Sequence, residues 1–149
     1  MIENAHLLGA GLAIGLSGLG GCLGEALIAR TSIRILGANP ELSGTLLVYT
    51  ILGIALTESA AIYGLIVALN IAGNAELGTL QAVGAGLAIG LAGFGAGLGE
   101  GWVAEKALEA YHRNPAIKGQ ILTFMILFIA LVESAAIYGL IIALNILGQ

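Results

Sequence analysis

Displaced by 75 residues, the chain lies on itself without a gap. Residues 9–16 (GAGLAIGL) return at 84–91, residues 23–25 (LGE) return at 98–100, and Asn39-Pro40 returns as Asn114-Pro115. The stretch ESAAIYGLI, residues 58–66, returns unchanged at 133–141. This is a duplicated unit whose halves have diverged, the first in residues 1–74 and the second in 75–149. Each half holds two apolar runs on either side of a polar turn: roughly 5–36 and 44–72, then 80–111 and 119–147. Each run exceeds the ~20 residues that cross a bilayer core. Backbone polar groups in lipid must be satisfied within the segment, so the runs are expected to be helices. Proline cannot continue a helix from the preceding turn, so the Asn-Pro pairs divide them. The expected fold is an all-α membrane protein, with four transmembrane helices arranged as two tandem hairpins.

Composition agrees with a membrane solvent. The chain is 58% hydrophobic and 9% charged, with a mean hydropathy of +1.01; a soluble domain carries about 25% charged residues. No basic patch offers a nucleic-acid surface. Two crossings per repeat give both halves one orientation, as parallel repeats. All five basic residues (Arg30, Arg34, Lys106, Arg113 and Lys118) lie beside the two Asn-Pro turns. The positive-inside rule places those turns in the cytoplasm and both termini outside. The opening MIENAHLLGAG has neither a basic leader region nor a small-residue cleavage site, and reads as a mature start. The lone Cys22 reads as a small packing residue.

Glycine is concentrated, 24 of 149 residues, and is patterned. Gly86, Gly90, Gly93 and Gly97 share one helix face in the third run. Gly11, Gly15, Gly18 and Cys22 repeat it in the first, with Gly9, Gly20 and Gly24 as a second stripe beside it. Glycine inside a helix costs about 1 kcal/mol relative to alanine, which close backbone approach in a membrane offsets. Small residues on two faces suit identical helices packed side by side in a closed ring.

All nine acidic residues are glutamates, and Glu25, Glu58, Glu100 and Glu133 fall at membrane depth. An ionisable group there costs roughly 2.5–3.5 kcal/mol on insertion scales and is a functional candidate by default. Measured from Pro40, Glu25 lies 15 residues back and Glu58 lies 18 forward. At 1.5 Å per residue the two heights are about 22 and 27 Å, roughly one turn apart. Glu25 and Glu100 continue the small stripes and are expected to face packed helices. Each repeat then brings two carboxylates to the midplane. His6 and His112 lie at the ends of runs and read as surface residues. Without thiolates or imidazoles at hand, the carboxylates, the hydroxyls of Ser59 and Ser134 and the phenols of Tyr63 and Tyr138 suit a proton or a hard cation. Two ionised carboxylates with one Na⁺ leave a net charge in lipid, so one carboxyl of each occupied pair is expected to stay protonated. Tyr63 stands five residues beyond Glu58, where its phenol is expected to brace a carboxylate on the same helix.

These residues resemble the c subunit, or proteolipid, of rotary ATP synthases. The resemblance rests on the Gly-rich first helix, the Arg113-Asn114-Pro115 turn, and LTESAAIYGL and LVESAAIYGL in the second helix of each half. It covers nearly the whole chain, in two copies. It implies a homo-oligomeric ring in the membrane that turns against a stator subunit bearing an essential Arg. The loops at Asn39, Pro40, Arg113, Asn114 and Pro115 would hold the central stalk. Glu58 and Glu133 match the ion-carrying carboxylate. Glu25 and Glu100 stand where sodium-translocating members place Gln or Glu. Ser59 and Ser134 match their hydroxyl ligand, Tyr63 and Tyr138 the bracing residue, and the carbonyls of Leu56 and Leu131 the remaining ligand. Typical proton-type sites have Ala in place of this Ser, which favours Na⁺ as the carried ion and leaves H⁺ as the alternative. Ala60 and Ala135 depart from sodium sites that hold a Thr there, and the first turn reads Ala38-Asn39-Pro40 without the Arg. The double hairpin is similar to vacuolar and archaeal-type proteolipids, here with both carboxylates kept.

The implied cycle is coulombic. An occupied, neutral site faces lipid; an emptied, charged one is held at the stator Arg. The chain does no bond chemistry and needs no cofactor. The expected setting is a prokaryotic cell membrane. Spacing alone leaves open whether a site is built within one hairpin or across neighbours; ring members of the family build it across. In another class stands a small four-helix exporter that trades protons for a lipophilic cation. It needs a wider aromatic-lined cavity, and aromatics are 5% of this chain. A purely structural proteolipid ring or pore would not need the repeated Ser-Glu-Tyr set.

Overall fold

The structure is a computed structural model and describes residues 4–148; residues 1–3, part of the stretch read as a mature start, lie outside the described residues. Four helices are long and apolar enough to cross a membrane: Leu7–Ala38, Pro40–Ala72, Thr79–Arg113 and Pro115–Leu147. In finer terms they are α1 (Leu7–Ala38), α2 (Ser43–Thr57), α3 (Ser59–Ala72), α4 (Thr79–Arg113) and α5 (Lys118–Leu147). They follow the four apolar runs and continue two to four residues further towards the Asn-Pro turns. The turns themselves explain that extension. Asn39 (φ −138°) and Asn114 (φ −143°) leave the helical region, where a following proline drives them. Pro40 and Pro115 then open a short 3-10 turn that leads straight into the next helix. Proline's missing N–H is no loss at a helix start.

The second crossing departs from the expected single helix at Glu58. Its carbonyl accepts from both Ala61 N (3.1 Å) and Ile62 N (3.2 Å), so the ladder tightens locally between α2 and α3. The backbone there stays near helical angles, and the crossing is not redirected. Its counterpart α5 runs unbroken through Glu133.

The helices α1 and α4 lie side by side and parallel. Gly9 meets Ala82 near one end, and Gly24 meets Gly97 and Gly101 further along. A Cβ on Gly97 would stand 2.6 Å from Gly21 N, and one on Gly90 2.6 Å from Leu12 O, so these positions admit no side chain. The outer helices pack back on this pair in the same way in both halves. Gly64 of α3 closes on Ser17, and Gly139 of α5 closes on Ala88 and Ala92.

One of the two expected small stripes of α1 is therefore used within the chain. The other is free: among the described residues, nothing lies within 4 Å of a Cβ built on Gly11, Gly15 or Gly18. The same holds for Gly95 on α4. Cys22, on the free stripe, is exposed rather than packed in the single chain. His6 also departs from expectation. It is buried, not at the surface, and Asn4 just before it takes a positive φ of 67°.

The core falls in layers. Towards the Asn-Pro turns, Ile28, Ile35, Tyr49, Leu108, Tyr111 and Met125 join both hairpins. Towards the termini, Val67, Ile71 and Ile89 do so, with alanines between them. Between these layers the buried cluster is made of Ala60, Ala96 and Ala136, with Tyr63 against them. Small side chains thus form the packed layer at the level of the ESAAIYGLI segments.

Candidate functional site

Glu133 is half-buried on α5, and its Oε1 accepts a hydrogen bond from the Tyr63 hydroxyl at 2.6 Å. Tyr63 belongs to α3, in the other hairpin. The expectation that it braces a carboxylate on its own helix is therefore corrected. Five residues at about 100° each turn the phenol about 140° away from Glu58, so it crosses to the neighbouring hairpin instead.

Glu100 of α4 completes this constellation from within. It is 0% exposed, and among the described residues neither of its carboxylate oxygens has a hydrogen-bond partner. Glu100 lies close to Glu133, and Glu25 lies close to Glu58. Each inner carboxylate is thus set against the outer one of its own hairpin. Ser134 Oγ donates to Leu131 O at 2.7 Å, and Ser59 Oγ donates to Leu56 O at 2.8 Å. In both halves the hydroxyl and the carbonyl singled out as ligands stand together, within two residues of the carboxylate.

The first-hairpin copy is assembled less far. Glu58 is exposed and Glu25 half-buried. Tyr138, the repeat counterpart of Tyr63, is 65% exposed. Among the described residues, no side chain hydrogen-bonds to Glu25, Glu58 or Tyr138. The structure therefore gathers Tyr63, Glu100, Glu133, Ser134 and Leu131 around one station. It leaves Glu25, Glu58, Ser59 and Leu56 around another, without a phenol.

At the turns, Pro40, Arg113, Asn114 and Pro115 are exposed. Asn39 joins the two hairpins there, its amide 3.1 Å from His112 Nδ1. Tyr49 stacks on Tyr111, with ring centroids 5.2 Å apart, and donates its hydroxyl to the Lys118 carbonyl.

Sequence reasoning missed a set of ion pairs nearby. Arg30 bonds Glu105 at 2.9 Å, with Thr31 donating to the same carboxylate oxygen at 3.1 Å. Arg34 bonds Glu109 at 3.0 Å, and Lys106 takes the second oxygen of Glu109 at 3.0 Å. Both Arg-Glu pairs join residues 75 apart, which are equivalent positions in the duplication. Opposite charges at equivalent positions were the available signal.

Known proteins bear on this arrangement. The family model for the ATP synthase c subunit matches residues 8–71 and again 83–146. The K subunit of the A-type ATP synthase of Methanocaldococcus jannaschii is 34% identical over 95% of this chain. The chain spans 62% of that relative's length. The ATP synthase c subunit of Clostridium beijerinckii is 46% identical over 48% of this chain and 99% of its own length. The chloroplastic ATP synthase c subunit of Porphyra purpurea is 45% identical over 44% of this chain and 79% of its own. One relative thus runs the length of both halves, while the others match a single hairpin. With four apolar crossings, two matched copies and a carboxylate in each outer helix, the chain belongs to the ATP synthase c-subunit family, a non-catalytic component of the rotary enzymes in duplicated form.

Proposed function

We propose that this chain forms a membrane rotor ring by end-to-end repetition of its own hairpin contact, and that the ring carries Na⁺ on Glu58 and Glu133. One observation carries the reading: Tyr63 of the first hairpin reaches Glu133 of the second. The halves are equivalent, so Tyr138 has the same task towards a Glu58 that its own chain cannot offer. The next copy supplies it. The free stripe of Gly11, Gly15 and Gly18 and the free Gly95 on the far side of α4 are the faces that such a copy closes.

The ion follows from charge. Glu100 is buried beside Glu133 without a hydrogen-bond partner among the described residues. Two ionised carboxylates there would be costly in a membrane. One proton and one cation make the station neutral, and the paired Ser134 hydroxyl and Leu131 carbonyl add hard oxygen ligands. An occupied station can turn through lipid. An emptied one is held by the Arg of a stator subunit until it reloads, which couples ion flow to rotation. The exposed Asn-Pro turns face the cytoplasm and the central stalk.

A proton-only ring is the second reading. It is favoured by the Ser hydroxyls, which already donate to the Leu carbonyls within their own helices. Carbodiimide labelling of the purified oligomer separates the two, since the reagent attacks protonated carboxyls. For a sodium rotor, Na⁺ slows modification of Glu58 and Glu133 while K⁺ does not. Fast labelling indifferent to Na⁺ would sink the sodium reading and leave the ring carrying protons.

A further inference from the structure

We propose that Arg30, Arg34, Glu105 and Glu109 form one segment of a belt of alternating charge, which closes between copies of this chain and sets which faces can meet. The inference rests on the ring reading above and adds a recognition surface to it. Within the chain each Arg of α1 pairs with the Glu at the equivalent position of α4: Arg30 with Glu105 at 2.9 Å and Arg34 with Glu109 at 3.0 Å. The operation that relates the halves therefore sets like position against like position at this level. Applied once more, it places α1 of the next copy against the free side of α4. Arg30 of that copy then faces Glu105, and Arg34 of that copy faces Glu109. Positive and negative side chains alternate around the ring at two levels.

The single chain is prepared for this. Glu105 is buried, and its Oε1 carries both bonds from the first hairpin, while its Oε2 lies 3.9 Å from the Lys106 ammonium. Lys106, beside these pairs, holds Glu109 Oε2 at 3.0 Å. The Arg34 of the next copy takes that oxygen in its place. A wrong junction would be punished: first hairpin against first hairpin sets Arg against Arg, and second against second sets Glu against Glu. Complementary charge fixes register, and like charge suppresses wrong partners. The glycine faces alone cannot discriminate, because both halves carry them.

The test uses the full chain with two differently tagged variants, Arg34→Glu and Glu109→Arg. Expressed alone, each makes one level of the belt uniform in sign, and the yield of detergent-stable ring is expected to fall about ten-fold or more. Expressed together, the two variants restore opposite charges only between copies, so rings should reappear with both tags in equal amounts. A chain with both substitutions reverses every pair at that level and should assemble like the wild type. Wild-type yield from either single variant, or no recovery in the mixture, would overturn the belt while leaving the ring intact. Failure of the wild type itself to form a ring would overturn the reading beneath it.

Discussion

The two carboxylate stations of this chain are equal in sequence and unequal in structure. Around Glu133 the chain supplies a buried partner, Glu100, and a phenol from the other hairpin at 2.6 Å. Around Glu58 the same nine residues leave an exposed carboxylate, and the matching phenol, Tyr138, points away from the chain. Local sequence therefore does not make a station; the contact between successive hairpins does. A lone chain owns one such contact and can finish one station. In the proposed ring, the other is finished by a neighbour.

Substitutions can break or sharpen this contrast. The largest effect is expected from Glu58→Gln and Glu133→Gln, each of which removes the charge that an emptied station presents to the stator in the proposed cycle. In the assembled enzyme, both should cut ATP-driven ion transport into vesicles about 100-fold or more, a scale that electrostatic mutations of this kind reach. Transport that survives Glu58→Gln would show that the open station is not completed on assembly. Next come the glycine faces. Gly90→Leu drives a side chain into the chain's own helix pair, at roughly 1–3 kcal/mol or more. Gly15→Leu meets nothing within the chain, so it should spare the thermal unfolding of dispersed chains and abolish ring formation on native gels.

The phenols give a smaller and more selective effect. A hydrogen bond to a charged group contributes roughly 1.5–3 kcal/mol. In dispersed chains, Tyr63→Phe should therefore change the carbodiimide labelling rate of Glu133 about ten-fold, and Tyr138→Phe should change neither glutamate. In the ring, Tyr138→Phe should do the same to Glu58; equal behaviour in both states would erase the contrast. Smallest is Tyr49→Phe, which deletes the hydroxyl given to the Lys118 carbonyl. It should lower the stability of dispersed chains by about 0.5–1.5 kcal/mol. Its counterpart Phe124 is exposed, so Phe124→Tyr should leave thermal unfolding unmoved.

Much of this is legible in the sequence, for physical reasons. A run that must satisfy its backbone in lipid becomes a helix, and a proline starts the next one, so the crossings and turns can be read directly. The four glutamates stand out because charge is rare at that depth. Helical periodicity assigns a residue to a face, but not to the neighbour that the face will meet. For that reason spacing sets Tyr63 against a carboxylate of its own helix, whereas its hydroxyl bonds Glu133 of the other hairpin. The tightened turn at Glu58 has no signal, since the identical stretch at Glu133 stays regular. The Arg30-Glu105 and Arg34-Glu109 pairs can be found by comparing charges at equivalent positions. The burial of His6 near the end of a run has no signal in helical periodicity.

The short link from Gly73 to Gly78 joins the hairpins covalently, and it has a consequence for gearing. A rotor assembled from whole chains can gain or lose carriers only two at a time. With both stations carrying ions as proposed, every full turn delivers an even number of ions, whatever the number of chains. The ratio of ions moved to nucleotide turned over, which sets the smallest membrane potential that can drive synthesis, is adjustable only in double steps. Fusion of the hairpins thus makes the motor's transmission coarser while fixing the order of its teeth.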